Sequence, residues 1–154
     1  YEGIVIKDKN VKHKEGRSSK KQAHFWRWKP YATAEVVVTR MFNSEKNLNV
    51  ATVDNLGNTK RSTHKENKIA KESLGSIEGV LVNNLTDCNG RIVKKKGESV
   101  IVSKGKFTQK ECDHYWKNQD DLLGKIVEFE YFSYGLKDNP RFAVIKRVRP
   151  SFDL

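Results

Sequence analysis

Three short stretches of this sequence put charged side chains where they could do chemistry. Glu2-Gly3-Ile4-Val5-Ile6-Lys7 sets a carboxylate and an ammonium at the two ends of an apolar run. Phe25-Trp26-Arg27-Trp28-Lys29-Pro30 interleaves aromatic rings with cations, and Lys146-Arg147-Val148-Arg149 closes a run that begins at Arg141. Cations fixed on strands can neutralise phosphate without reorganising, and aromatic residues among basic ones suit nucleic acid. Taken singly, Trp26 and Trp28 read more readily as core or interface packing than as base-stacking platforms, and a basic strand end can equally face water. Other reactive constellations are missing. His13, His24, His64 and His114 are scattered, and Cys112 with His114 lacks the paired spacing of a zinc site. There is no phosphate loop with Gly-Lys-Ser or Gly-Lys-Thr, and no Gly-x-Ser-x-Gly.

Thirty Lys and Arg against 19 Asp and Glu give a net charge of +11, an excess that favours a polyanionic partner through attraction and counterion release. Residues 1–42 carry ten basic and four acidic side chains, so more than half of the excess lies in the first quarter of the chain. The plainer alternative is a lysine-rich solvated surface. With 154 residues, 36% of them hydrophobic, there is room for one ordinary domain with part of another attached. Two cysteines are too few for a disulfide scaffold, which points to a reducing, cytoplasmic setting. No apolar run approaches the roughly 20 residues needed to cross a bilayer, so no membrane association is expected, and no leader segment opens the chain. Residue 1 is Tyr and the only methionine is Met41, from which a longer natural chain is expected.

The elements that must position these residues follow from pattern. Residues 2–7 read as a short buried strand, because β-branched residues dominate and no helical period fits. The polar stretch from Asp8 to Lys21, with Gly16-Arg17-Ser18-Ser19 inside it, reads as a surface loop or hairpin. Residues 25–29 form a strand that Pro30 ends by removing a backbone donor, and a domain boundary is expected near residues 30–33. Beyond it, residues 33–42 and 77–85 read as strong strands. Residues 43–76 read as a polar insertion or protruding hairpin, suggested by Asn49-Val50-Ala51-Thr52-Val53 followed by Asn55-Leu56-Gly57-Asn58. Asn89-Gly90 marks a tight turn, with strands near 91–95 and 99–103 following across Lys96-Gly97. One helix is expected over residues 108–119. Thr108 and Glu111 make a capping box, Phe107 can staple against Cys112, and Cys112, Tyr115 and Trp116 share one face over the core. Strands at 124–132, where Val127, Phe129 and Tyr131 oppose Glu128 and Glu130, and at 140–149 complete the chain. Strand, strand, strand, helix, strand, strand is the element order of the five-stranded oligonucleotide-binding (OB) barrel. The expected fold is therefore mainly β, a five-stranded OB-fold barrel with one helix.

Glu2 to Lys7 resembles the fourth motif of the ligase and capping-enzyme nucleotidyltransferases. Phe25 to Pro30 resembles their fifth, in the aromatic-rich form of the small bacteriophage ATP-dependent DNA ligases. The two stand in the family's order and at family-like spacing, ahead of the fold that follows them there. The resemblance implies that residues 1–32 are the C-terminal strands of a nucleotidyltransferase (adenylation) domain and that residues 33–154 are the OB-fold DNA-binding domain. It gives Glu2 the task of holding a divalent metal, usually Mg2+, beside the triphosphate of ATP, and makes Lys7, Arg27 and Lys29 the cations that neutralise its α-phosphate. Arg27 stands where the family more often has Lys, so its fork can meet different phosphate oxygens. Arg147 and Arg149 match arginines that orient the departing pyrophosphate. Pro150-Ser151-Phe152 replaces the acidic and lysine residues that often follow, which leaves contact with DNA phosphates, or only water, as the other role.

The family's nucleophile is a lysine in Lys-x-Asp-Gly or Lys-x-Asn-Gly, and these 154 residues contain neither motif. The chain alone is accordingly expected to be inactive, with the upstream nucleotidyltransferase domain lying outside it or on another polypeptide. The resemblance implies an intact monomeric enzyme that seals nicks in duplex DNA during replication and repair, using ATP and Mg2+, in the cytoplasm, which is the host cell's if the source is a bacteriophage. Two alternatives stand beside it: a non-catalytic OB-fold nucleic-acid-binding module, and part of an RNA ligase or an mRNA guanylyltransferase.

Overall fold

The computed structural model of the chain describes residues 2–12, 25–55 and 57–150. Ile4–Lys7 (β1) and Phe25–Trp28 (β2) pair antiparallel as a two-stranded ribbon. After three intervening residues the main sheet begins with Ala32–Asn47 (β3). A small hairpin of Ala51–Val53 (β4) and Thr59–Arg61 (β5) precedes Lys68–Leu81 (β6), and Leu85–Thr86 (β7) pairs with Ile92–Lys94 (β8). Ser99–Ser103 (β9), the helix Gln109–Lys117 (α1), Ile126–Phe132 (β10) and Arg141–Val148 (β11) follow.

β10, β11, β9, β6 and β3 close into a barrel, because β10 pairs with both β11 and β3. Among the described residues the one parallel contact joins β9 to β11 at Ser103 and Val144, and α1 lies between β9 and β10 in sequence. This is the five-stranded OB-type barrel with one helix, as the element order indicated. Alternation along each strand fills it. Val36 and Val38, Val100 and Val102, Val127, Phe129 and Tyr131, and Ala143 and Ile145 are all buried in one core with Leu74, Ile77 and Leu81. Closure needs a glycine after β9: Gly105 has φ +54°, and a Cβ there would lie 2.7 Å from the Ile145 nitrogen on β11.

The helix forms where its capping box places it. The Thr108 hydroxyl accepts from the Glu111 amide while the Glu111 carboxylate accepts from the Thr108 amide at 2.7 Å. Cys112 is buried, Tyr115 and Trp116 are half-buried on the same face, and Phe107 packs on Tyr115 with ring centroids 5.1 Å apart.

Several expectations change. β1 is exposed rather than buried: Ile4, Val5 and Ile6 are 57%, 64% and 57% exposed. Trp26 and Trp28 are exposed likewise, because among the described residues no second layer covers the ribbon. The ladder of β3 and β6 runs far into residues 43–76, and Ala51–Val53 pairs antiparallel with Thr59–Arg61 within that stretch. Its Asn, Lys and Ser side chains carry little strand propensity, so cross-strand pairing sets this conformation rather than composition. The strands near 91–95 and 99–103 do not pair with each other, since β8 joins β7 while β9 joins β6. Asn89-Gly90 makes the expected turn, with Gly90 at φ +79°. The loop expected from Gly16 to Ser19, His13 and His24, and the Ser151-Phe152 departure lie outside the described residues. Among the described residues no helix is long and apolar enough to cross a membrane.

Candidate phosphate and nucleic-acid site

Antiparallel register decides which ribbon side chains can act together. Val5 faces Arg27 and Lys7 faces Phe25, so by strand alternation Lys7 and Arg27 project from one side of the ribbon, with Lys29 the next residue in that series. Ile4 faces Trp28 and Ile6 faces Trp26, which makes the other side apolar. The sequence-expected cations Lys7, Arg27 and Lys29 are thus brought to a common face, where Lys7 also lies 5.4 Å over the Phe25 ring.

Glu2 meets Lys29 directly in a hydrogen-bonded ion pair. That bond, and then the field of Lys29, hold the Glu2 carboxyl below its ordinary value, with Arg141 and Arg27 adding to the effect. The carboxylate is therefore ionised and half-exposed. Mg2+ is commonly held by one or two carboxylates plus phosphate oxygens and water. Among the described residues no cluster of His, Cys, Asp and Glu that could hold a metal forms. The chemistry of Glu2 thus suits one carboxylate ligand of a nucleotide-bound Mg2+, and among the described residues it is not part of a free-standing metal centre.

Lys29 also joins the ribbon to the barrel. Its ammonium lies 4.6 Å over the ring of Phe132, a residue of β10 that is 1% exposed, and Tyr31 meets the same ring edge-on at 6.0 Å. Arg141, at the start of β11, approaches that ring at 5.4 Å and the Phe142 ring at 5.6 Å, and donates to the Tyr134 carbonyl at 3.1 Å. Phe142 is the only described non-glycine residue in the left-handed region, at φ +53°, and is 67% exposed. It lies where the β10–β11 register shifts between Glu130 and Phe132. Sequence reading missed this pair, since an aromatic residue inside a strand pattern carries no signal of a bulge.

Arg147 and Arg149 form a second cluster on the barrel. Arg147 donates to Glu128 at 2.7 Å, Lys146 donates to the other oxygen of Glu128 at 2.6 Å, and Arg149 donates to Glu35 at 2.7 Å. Glu128 pairs across the sheet with Arg147 on one side and Glu35 on the other, so the charges cross three adjacent strands, β11, β10 and β3. Hydrogen bonds from Lys146 and Arg147 hold Glu128 ionised, well below its ordinary value, although only 6% of it is exposed. These arginines are anchored by carboxylates. Arg147 remains about half exposed.

No protein-family model matches the chain, and no curated protein matches it. Among solved structures, one described as Pmar-Lig_PreS3 is similar over 97% of this chain and 27% of its own, with a TM-score of 0.57 and 20% identity. A structure of Lig E DNA ligases is similar over 96% of this chain and 40% of its own, with a TM-score of 0.52 and 20% identity. A Chlorella virus DNA ligase-adenylate is similar over 96% and 41%, with a TM-score of 0.46 and 22% identity. At such identity the likeness to the first two, whose TM-scores exceed 0.5, establishes the fold alone. The chain spans less than half the length of each of these structures.

Proposed function

We propose that this chain is the C-terminal part of an ATP-dependent DNA ligase of the small bacteriophage type, whose barrel grips duplex DNA while an upstream nucleotidyltransferase domain, outside these residues, carries the reactive lysine. The observation that carries the reading is the juxtaposition of Glu2, Lys7, Arg27 and Lys29 on one ribbon that runs within three residues into a closed OB-type barrel. The fold shared with parts of DNA ligase structures supports it. In the intact monomeric enzyme Glu2 would help to hold Mg2+, which stabilises charge in phosphoryl transfer. Lys7, Arg27 and Lys29 would neutralise the α-phosphate as the nucleotide passes from ATP to protein and then to the 5′-phosphate at a nick. The barrel would hold the duplex through backbone phosphates without reading bases. Arg147 and Arg149 serve either DNA phosphates or the departing pyrophosphate, while Arg141 and the outward Phe142 lie on a surface suited to stacking and charge together.

A second reading, a nucleic-acid-binding module without chemistry of its own, is favoured by the absence of Lys-x-Asp-Gly and Lys-x-Asn-Gly from these residues. Both readings require DNA binding by phosphate contact. The isolated chain is expected to bind a fluorescent duplex at about micromolar Kd, with log affinity falling by roughly 0.9 per log unit of salt for each phosphate neutralised. A nicked duplex gains little over an intact one, because recognition of the 5′-phosphate needs the upstream domain. Anisotropy titrations at three salt concentrations decide the matter. A flat salt dependence, or no binding at low salt, assigns the +11 charge to solubility and removes the DNA clamp. An upstream reading frame carrying Lys-x-Asp-Gly separates ligase from module.

A further inference from the structure

The charges that cross β11, β10 and β3 are not held alike. Glu128 is 6% exposed and its two oxygens are taken separately, Oε1 by Lys146 at 2.6 Å and Oε2 by Arg147 at 2.7 Å. Withdrawing either cation would leave a covered charge short of a partner, which is costly. Glu35 is placed differently. Its side chain is 24% exposed, and the Arg149 guanidinium meets it through one oxygen, with Nε at 2.7 Å and Nη2 at 2.6 Å both on Oε1. A phosphate offers the same planar fork two oxygens, and the bidentate contact is the stronger one. Glu35, once released, can turn to water.

Main-chain bonds fix both ends of this pair. The Arg149 amide donates to the Ile126 carbonyl at 2.8 Å, and the Glu35 carbonyl accepts from the Val82 amide at 3.0 Å. An exchange of partners therefore needs side-chain rotation only. The pair borders a cleft of about 280 Å3 that also takes in Thr33 and Asn83. Both are exposed, and a hydroxyl and a carboxamide are further donors for an anion beside Arg149. Lys146, Arg147 and Arg149 set three positive charges against the two negative ones of Glu35 and Glu128. The excess of one becomes two when Glu35 withdraws.

We propose that Glu35 is a displaceable counter-ion, which keeps the Arg149 guanidinium at this cleft until a phosphate group enters and takes its place, while Glu128 anchors Lys146 and Arg147 throughout. The ligand is a phosphate-type anion, either free pyrophosphate or a phosphate of duplex DNA. The inference rests on the phosphate reading of Arg147 and Arg149 above. Glu35 is a positioning residue in it, and Arg149, Thr33 and Asn83 touch the anion.

NMR titration of the whole chain with inorganic pyrophosphate or with duplex DNA, followed at the arginine Nε–H signals, tests the exchange, and salt-dependent anisotropy gives duplex affinities. The Arg149 signal, identified by its loss in Arg149→Gln, is expected to shift at saturation, because its acceptor changes from carboxylate to phosphate. Glu35→Gln should tighten binding about fivefold, the scale of a partly exposed ion pair, and the gain should vanish on the Arg149→Gln background. Glu72→Gln removes an exposed carboxylate on β6 and should change affinity by less than about twofold, since salt screens distant exposed charges. A response to pyrophosphate alone supports the proposal with the free anion as ligand, and a response to duplex alone supports it with the DNA backbone. The proposal is overturned by an Arg149 signal that neither ligand moves, by unchanged or weaker binding in a folded Glu35→Gln variant, or by an equal gain without Arg149. Should Glu35→Gln not fold, the Arg149 signal of the unaltered chain still decides. Salt-steep duplex binding with no gain in Glu35→Gln removes the counter-ion and keeps the DNA reading, whereas displacement by pyrophosphate without duplex binding does the reverse.

Discussion

Lys29 shows how much one side chain is asked to do. Its ammonium neutralises Glu2 and stands over the Phe132 ring, so a cation assigned to phosphate also fixes the ribbon's end against the barrel. The aromatic-basic pattern of residues 25–29 made Arg27 and Lys29 legible as candidates. The Glu2 partnership was not, because 27 residues separate the pair and only the β1–β2 register brings them together. In an intact enzyme, Arg27→Ala and Lys29→Ala are each expected to slow a chemical step by about 10²-fold, the usual cost of losing a preorganised charge stabiliser. Single-turnover sealing rates, with circular dichroism to verify folding, measure this. Unchanged rates in both variants would reduce the pair to surface charge.

Among elements, the charged crossing of β11, β10 and β3 is the most informative. Alternation correctly put Val127, Phe129 and Tyr131 inward and Glu128 outward, but it could not reveal that Glu128 is covered, because cover comes from Lys146 and Arg147 on a strand remote in sequence. With its folded-state pKa depressed, Glu128 contributes stability that is present above the ordinary glutamate value and is lost as pH falls through the lowered one. Glu128→Gln should therefore lower stability at neutral pH by about 1–2 kcal/mol, the scale of charged hydrogen bonds discounted for half-exposed partners. It should also flatten the decline on the acid side. Urea midpoints measured from neutral pH down to strongly acidic conditions test this, and an acid decline of equal size in the variant would contradict it. The helix lay open to sequence reading because its capping box is local. The insertion at 43–76 was hard to read because Asn49, Ser62, His64 and Asn67 become partners only once the chain has folded back.

For the molecule as a whole, the order of elements disclosed the barrel type, while closure through β10 with β3 and the parallel meeting of β9 and β11 depends on distant pairings that no local pattern encodes. Because the chain contains neither Lys-x-Asp-Gly nor Lys-x-Asn-Gly, incubation with ATP and Mg2+ should leave its intact mass unchanged. Appearance of an adenylyl group bound through lysine nitrogen would show that the reactive lysine lies within these residues after all. The ribbon's apolar side has a separate consequence. Trp26 and Trp28, about 60% exposed, are two of the three tryptophans in the chain, and the third, Trp116, is half-buried on α1. Most of the indole signal thus originates from one patch, and its emission colour is an intrinsic optical gauge of that patch: red-shifted while water wets it, blue-shifted when any protein surface closes over it, with no dye or label attached.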